Sequence, residues 1–165
     1  IVHSPASPRH DNIAGFLRML MRGYAEDRQL GLVLGPDSLI RFRRRRRCGP
    51  DVFFLEASRV PHPLPREFTT VPHLILEVLS PSNRDVDLEE KRPVYRAAGV
   101  REIWFVDHEE EQILVDRRQG RRYITDVVST GEVSSRALAG FRLDAAWLWT
   151  DPLPNVMQCL RDILG

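Results

Sequence analysis

The chain has 165 residues, of which 42% are hydrophobic and 28% are charged, and its formal net charge is +1. These values predict a single globular domain over residues 1–165, and they exclude a polycationic chain and a membrane-spanning segment. With only two cysteines, Cys48 and Cys159, we expect no disulfide framework, a cytoplasmic location and no membrane partner. Because the chain opens at Ile1 without methionine, we also expect a missing upstream segment.

The first predicted element is an amphipathic helix over residues 12–30. Asp11 is predicted to cap its start, and Gly31 to follow its end. His10, at the start of this helix, is predicted to be a capping or surface residue, and a ligand near the site is the less favoured alternative. The helical period is carried by Ile13, Phe16, Leu17, Leu20, Met21 and Tyr24.

Strands dominate the middle of the chain, and one helix interrupts them. An interior proline costs about 3 kcal/mol, so Pro93 predicts a helix start near Arg92 or a kink after Lys91. The order predicts an α/β fold, a mixed sheet flanked by helices with an additional β-hairpin. The predicted elements are strands over 32–34, 38–47, 51–56, 73–79 and 102–107, a helix over 86–98, a hairpin of 111–118 and 121–129 turning at Gly120, and a final helix over 155–164.

Six arginines lie within residues 41–47, directly before Asp51. Alternate residues of a strand face opposite ways, so Arg43, Arg45 and Arg47 are predicted to share one face. Such a face favours contacts with nucleic-acid phosphates. An equally weighted alternative is a solvated edge strand whose charges prevent aggregation.

Lys91 is the only lysine in the chain, against 23 arginines. Lysine is a compact point charge, whereas arginine is planar and does not deprotonate in proteins. One interpretation is that position 91 requires a primary amine. The alternative is a lysine without function on an exposed helix face.

Two carboxylates precede this lysine. Asp51 follows Pro50 at a strand entrance, and Glu77 interrupts the apolar strand 73–79. A carboxylate in such a strand is costly unless it is paired, protonated or bound to a metal. A salt bridge to an arginine would therefore explain Glu77 as well.

Together with Lys91, the two acids form the set of groups that a metal-dependent phosphodiesterase uses. Mg²⁺ binds through one or two carboxylates and phosphate oxygens, and an ammonium orients water or stabilises developing charge. Tyr95 lies on the same helix face as Lys91, where it would hydrogen-bond near the site or pack against the sheet.

An ordered set of short motifs resembles the PD-(D/E)XK nuclease superfamily, and more narrowly the bacterial Uma-type group described as putative restriction endonucleases. The resemblance covers nearly the whole chain and implies a restriction-endonuclease-like fold. The set comprises Pro50-Asp51, Leu74–Pro81 (LILEVLSP), Lys91, Tyr95, Gly99-Val100, Ile103–Asp107 (IWFVD), the opening Ser4–His10 (SPASPRH) and Leu138–Phe141 (LAGF).

The resemblance implies that Asp51, Glu77 and the carbonyl of Val78 bind Mg²⁺ (Mn²⁺ is an alternative). In the superfamily the lysine stands two residues after the second acid, where this chain has Leu79. The narrower group resembles a variant whose lysine lies on the following helix, which implies Lys91. We add Ser80 and Tyr95 to the three arginines as predicted nucleic-acid contacts.

The leading hypothesis is a metal-dependent endonuclease that hydrolyses DNA and acts as a homodimer, because two related sites can cut both strands. The alternative is a catalytically inactive nuclease fold that binds nucleic acid or acts in assembly. A Rossmann-like nucleotide binder is set aside, since the chain has no glycine-rich phosphate loop.

Overall fold

The computed structural model describes residues 6–43 and 46–165, and its centre is a six-stranded mixed sheet. The strands of this sheet lie in the order β1-β4-β5-β6-β7-β8, and only β5 and β6 are parallel neighbours. The predicted mixed sheet is confirmed. In chain order the strands are β1 Gly31–Leu34, β2 Ile40–Arg41, β3 Arg47–Cys48, β4 Val52–Glu56, β5 Leu74–Leu79, β6 Glu102–Asp107, β7 Gln112–Gln119, β8 Arg122–Val128, β9 Glu132–Ser134 and β10 Arg142–Asp144.

Helices cover both faces of the sheet. Helices α1 (Pro8–Asp27) and α3 (Val156–Leu164) contribute to the apolar cluster on one face. On the other face, a π-helix (Val86–Lys91) runs directly into α2 (Arg92–Ala98). The central strand β5 is buried along its whole length, as its apolar sequence predicted.

Helix α1 begins earlier than the sequence pattern predicted. Ser7 caps it, because the Ser7 side chain accepts a hydrogen bond from the amide of His10. The predicted cap, Asp11, lies inside the first turn instead, where its charge favours the positive end of the helix dipole. The earlier start also brings His10 into the buried helical stripe.

The arginine segment differs from its prediction. Residues 38–47 do not form one strand, since β2 and β3 are two residues each and pair as a small hairpin. The amide of Phe42 donates to the carbonyl of Arg46 at 2.7 Å and closes the turn. A shared strand face for Arg43 and Arg47 is therefore wrong, and Arg44 and Arg45 lie outside the described residues. Consecutive arginines offer no apolar alternation that would hold a longer strand in register.

The predicted helix over residues 86–98 is helical throughout, but its first part is wider than an α-helix. The amide of Arg92 donates to the carbonyl of Asp87, five residues earlier. Pro93 follows as the second residue of α2, where it has no amide to donate and its ring crowds the preceding turn. The α-helix thus starts at Arg92, and the wider π-helical turn precedes the proline.

Candidate active site

Asp51 and Glu77 face each other across two neighbouring strands. The antiparallel register pairs Val52 with Leu76, which places Asp51 opposite Glu77. The Asp51 amide lies 3.4 Å from Oε2 of Glu77. The sheet therefore brings together two acids that are 26 residues apart in the chain.

The carboxylate of Asp51 is held by groups from two other elements. Its Oδ2 accepts a hydrogen bond from the Val78 amide at 2.8 Å. The same oxygen lies 3.3 Å from Nε2 of His10 on α1. The neighbouring Asp51 carboxylate raises the pKa of His10, and burial of the imidazole opposes that rise.

His10 lies beside the site, a position that the sequence interpretation favoured less than a capping or surface role. It is only 5% exposed, so it is not a surface residue. Its position three residues before Ile13 continues the apolar stripe of α1, which is the signal that identifies it as buried.

A glycine brings the loop after β1 against the segment that carries Asp51. Gly35 has φ +131°, and a Cβ at this position would collide with the carbonyl oxygens of Asp51 and Pro50. Only glycine permits both this backbone conformation and this close approach. The loop and the start of β4 therefore support one another beside the two acids.

Glu77 is buried, with an exposed fraction of 1%. Its Oε1 accepts a hydrogen bond from the Tyr95 hydroxyl at 2.6 Å and lies 3.4 Å from Nζ of Lys91. Burial raises the pKa of Glu77 to about 8; Asp51 and Asp87 add to the rise, while Lys91 opposes it. Among the described residues, the cation that pairs with Glu77 is thus the single lysine of the chain.

Lys91 lies between two carboxylates. Its Nζ is 3.4 Å from Glu77 Oε1 and 2.8 Å from Asp87 Oδ1. The side chain is 27% exposed, so the alternative of a lysine on an exposed helix face is wrong. Burial lowers the pKa of Lys91, but the charges of Glu77 and Asp87 outweigh it and hold the pKa above its ordinary value. The ammonium therefore stays charged.

Leu79 occupies the position where the resembling superfamily carries its lysine. It follows Glu77 by two residues and so shares its face of the sheet, where it packs, 1% exposed, in the apolar cluster under α2. Lys91 reaches the same carboxylate from the adjacent helix instead. The ammonium and the two acids thus converge from three different elements.

Asp87 is a member of this cluster that the sequence interpretation did not identify. It is 1% exposed and lies within the π-helix. Within residues 6–43 and 46–165 neither of its oxygens has a hydrogen-bond partner, although Oδ1 is close to Lys91. Its spacing of four residues from the only lysine was the available signal.

Ser80 and Tyr95 lie inside the protein. The Ser80 hydroxyl donates to Oδ1 of Asn83 at 2.6 Å and stabilises the turn after β5. Tyr95 is fully buried, and both predicted alternatives for it, a hydrogen bond at the site and packing on the sheet, are seen together. Both stay predicted nucleic-acid contacts, and both side chains are buried in this structure.

The arginine hairpin is adjacent to this cluster. The ring of Phe42 lies 5.5 Å from the ring of Tyr95, whose hydroxyl binds Glu77. Arg41 and Arg47 pair with Glu67 at 3.1 and 2.8 Å. Arg43 and Arg46, in the turn between β2 and β3, are exposed and form no ion pair with the described part of the chain.

The donor set fits a divalent cation held by few protein ligands. Among the described residues, no three His, Cys, Asp or Glu side chains are placed to form a metal cluster by themselves. Lys91 nevertheless pairs with Glu77 and Asp87, Asp51 lies beside Glu77, and Oδ2 of Asp87 is buried with no partner among the described residues. Two carboxylates, completed by water and a phosphate oxygen, are sufficient for Mg²⁺.

Comparison with known protein families shows the family of this chain. The Uma2 family, described as "Putative restriction endonuclease", matches residues 1–146. The chain belongs to the Uma2 family. Membership supports a nuclease, that is, a hydrolase acting on nucleic acid, as the class of this protein.

A solved structure has the same fold. It is described as a putative nuclease belonging to DUF820 from Anabaena variabilis, with a TM-score of 0.79 and 18% sequence identity. The match covers 90% of this chain and 84% of the other. No curated protein matches the chain.

Among the described helices, none combines the length and the apolar character needed to cross a membrane.

Proposed function

We propose that this protein is a divalent-metal-dependent endonuclease that hydrolyses DNA phosphodiester bonds, with Asp51, Glu77 and Lys91 as its catalytic residues. The observation that carries the proposal is the convergence of the only lysine with both acids. Lys91 Nζ lies 3.4 Å from Glu77, whose other oxygen lies 3.4 Å from the Asp51 amide. This arrangement supports the resemblance to the PD-(D/E)XK superfamily, with the lysine supplied by the following helix.

Asp51, Glu77 and the carbonyl of Val78 would hold the cation. When bound, Mg²⁺ or Mn²⁺ supplies Lewis-acid polarisation of the scissile phosphate and a more acidic water. The Val78 amide keeps Asp51 in one orientation, and the Tyr95 hydroxyl does the same for Glu77. Both acids are therefore organised before substrate arrives.

Lys91 supplies the positive charge that faces the substrate. Its side chain is 27% exposed, whereas that of Glu77 is 2% exposed, so Lys91 is the more accessible of the two to a phosphate. The permanently charged ammonium donates to a phosphate oxygen or to the attacking water as negative charge develops. Its acidic neighbours keep it protonated throughout.

Arg43 and Arg46 are the arginines best placed to contact the DNA backbone. They are exposed on the turn whose neighbouring residue, Phe42, packs on Tyr95. Arg47 was predicted as a contact from a strand face, but its guanidinium is paired with Glu67. Arg45 remains a predicted contact outside the described residues. Phosphate contacts of this kind position the duplex without reading its sequence.

Plasmid cleavage tests the proposal directly. The wild type with Mg²⁺ or Mn²⁺ should nick or linearise supercoiled DNA, and EDTA should abolish the activity. Glu77→Gln, which keeps the side-chain shape, should lower the rate at least 100-fold, because a lost electrostatic group of this kind costs about 10²–10³ in rate. The matched control is Glu132→Gln on the exposed strand β9. Absence of cleavage of DNA and RNA with both metals would refute the proposal.

A second candidate is a catalytically inactive module that binds nucleic acid or acts in assembly. Leu79 favours it, because the usual lysine position is filled by a buried apolar residue. This candidate predicts DNA binding that weakens with salt and does not depend on metal. Calorimetric titration with Mn²⁺ separates the two, since binding that is lost in Asp51→Ala supports the enzyme.

We also propose a homodimer in the cytoplasm. Two sites related by a two-fold axis would cut the two strands of a duplex. The unpaired thiols of Cys48 and Cys159 suit a reducing compartment. Sedimentation equilibrium with and without DNA measures the oligomeric state, and a monomer under both conditions would refute the dimer.

A further inference from the structure

The buried carboxylate of Asp87 forms one ion pair among the described residues, with the ammonium of Lys91. The two atoms, Oδ1 and Nζ, are 2.8 Å apart, which is shorter than the 3.4 Å between Nζ and Glu77. Both Asp87 oxygens are buried and have no hydrogen-bond partner in the described part of the chain. Asp87 therefore contributes charge to the site and few other contacts.

The π-helix brings both side chains toward the sheet. Asp87 is buried and Lys91 is partly buried, while Val86, Glu89 and Glu90 on the same turn are exposed. The ammonium thus has one carboxylate from strand β5 and another from its own helix. A π-helical turn inserted before an α-helix is frequently found at functional sites.

An unassisted lysine is poorly suited to a fixed role. Its flexible four-carbon stem gives the ammonium many positions, and 27% of this side chain is exposed. A purely structural requirement at position 87 would be met at lower cost by an apolar residue, because a buried charge pair often stabilises less than its hydrophobic replacement. The retained charge is explained if it fixes the position of another charge.

We propose that Asp87 is a positioning residue that holds the Lys91 ammonium beside Glu77. The role is indirect, since Asp87 acts on Lys91 and does not touch substrate. This inference rests on the proposed function for its catalytic meaning. Its structural content, an ordered ammonium, is measurable without any cleavage.

The single lysine makes that measurement simple. Protein labelled only at lysine with ¹³C and ¹⁵N gives one set of lysine side-chain NMR signals from the 165-residue chain, assigned by their loss in Lys91→Arg. In the wild type the two Hε protons should have separate chemical shifts, because the side chain is held in one orientation. In Asp87→Asn the two Hε chemical shifts should merge toward the single shift of a free lysine side chain. Asp85→Asn, an exposed acid on the same segment, is the matched control and should leave the signals unchanged.

A cleavage assay then measures the catalytic consequence. Asp87→Asn should lower kcat at least tenfold and change KM less than twofold, and Asp87→Glu should recover part of the loss because it restores the charge. A merely structural role would lower activity only in proportion to the folded fraction, which a thermal melt reports. That result would overturn the proposal, as would wild-type Hε signals in Asp87→Asn.

The outcomes also separate this inference from the proposed function. If the wild type does not cleave nucleic acid but Asp87→Asn still merges the Hε signals, the nuclease proposal fails and the positioning role stands. If Asp87→Asn does not fold, Asp87→Glu decides, because its longer side chain must shift the Lys91 signals if the carboxylate holds the ammonium. Unchanged signals in a folded Asp87→Glu protein would refute the inference.

Discussion

Two buried acidic clusters lie beside the same helical segment, and their bonding differs. Asp116, on β7, is fully buried and accepts hydrogen bonds from Arg92, Arg96 and Thr125 at 2.6–2.8 Å. Burial raises the pKa of Asp116, but these hydrogen bonds outweigh it and lower the pKa below its ordinary value. This carboxylate is fully partnered, so its charge is stable inside the protein.

In the cluster around Glu77, burial raises the pKa more than the neighbouring groups lower it. Glu77 and Asp87 share one ammonium, Asp51 lies beside them, and burial raises the pKa of Glu77 to about 8. The residues at the two clusters are neighbours in the chain, since Lys91 serves one and Arg92 the other. A buried carboxylate with enough hydrogen-bond donors keeps a low pKa, and its charge stabilises the fold. A buried carboxylate with too few donors has a raised pKa and is a candidate functional group.

Asp116→Asn should show the largest effect on stability. Breaking a buried ion pair costs about 3–5 kcal/mol, but Arg92 and Arg96 are 22% and 34% exposed and will regain water, so we expect about 2 kcal/mol. Urea denaturation at pH 7 measures this loss, while cleavage by the folded protein should be unaffected. A stability equal to that of the wild type would remove the contrast between the clusters.

Lys91→Arg should lower activity rather than stability. The guanidinium keeps the charge but is planar and longer, so it cannot take the place of a compact ammonium between two carboxylates. We expect cleavage to fall about 100-fold, the lower end of the range for a lost electrostatic group. Rates measured on plasmid DNA test this, with circular dichroism as the control for folding. Full activity would show that position 91 needs only a positive charge.

Glu77→Gln should change the pH dependence of protein stability. The folded pKa of about 8 exceeds the ordinary value of 4.5, so the wild type loses stability as pH rises from about 4.5 to about 8. The amide variant does not titrate and should therefore become the more stable protein toward the upper end of that window. Thermal melts in EDTA at pH 5, 7 and 8.5 measure the crossing, and parallel curves would contradict it.

The pH dependence at Asp116 should have the opposite sign. Its folded pKa is lowered, so the stability it contributes is present above its ordinary value of 3.8 and is lost as pH falls through the folded pKa. The difference between wild type and Asp116→Asn should thus shrink below about pH 4. Urea titrations at pH 3 and pH 6 test this, and a difference that grows at pH 3 would be the contrary result.

Substitutions in the arginine hairpin should have the smallest effects, and each should weaken DNA binding. Arg43→Ala and Arg46→Ala should each weaken binding to all DNA sequences alike and reduce the slope of log affinity against log salt by about 1. Arg41→Ala is the matched control, because its guanidinium is already paired with Glu67. Fluorescence anisotropy over a salt series measures these slopes, and equal slopes in all variants would exclude the turn as a contact.

Much of the fold could be predicted because the periodic elements are long and distinct. The apolar strand 73–79, the stripe of the first helix and the hairpin turning at Gly120 were all identified and are observed as β5, α1 and β7–β8. The errors lie where local chemistry competes with periodicity, as in the arginine segment and at the start of α1. The single domain over the whole chain stays a prediction.

The amino-acid pattern by itself determined which groups were candidates, because a lone lysine, a carboxylate within an apolar strand and an aspartate after Pro50 are each unusual without any structure. Tertiary structure alone decided that they meet. Strand pairing closes the 26-residue gap between Asp51 and Glu77, and the π-helix turns Lys91 inward with Asp87 behind it. Packing of α1 on the sheet also buries His10 against Asp51. Distance and burial depend on how elements pack, and the period of a single element carries no such information.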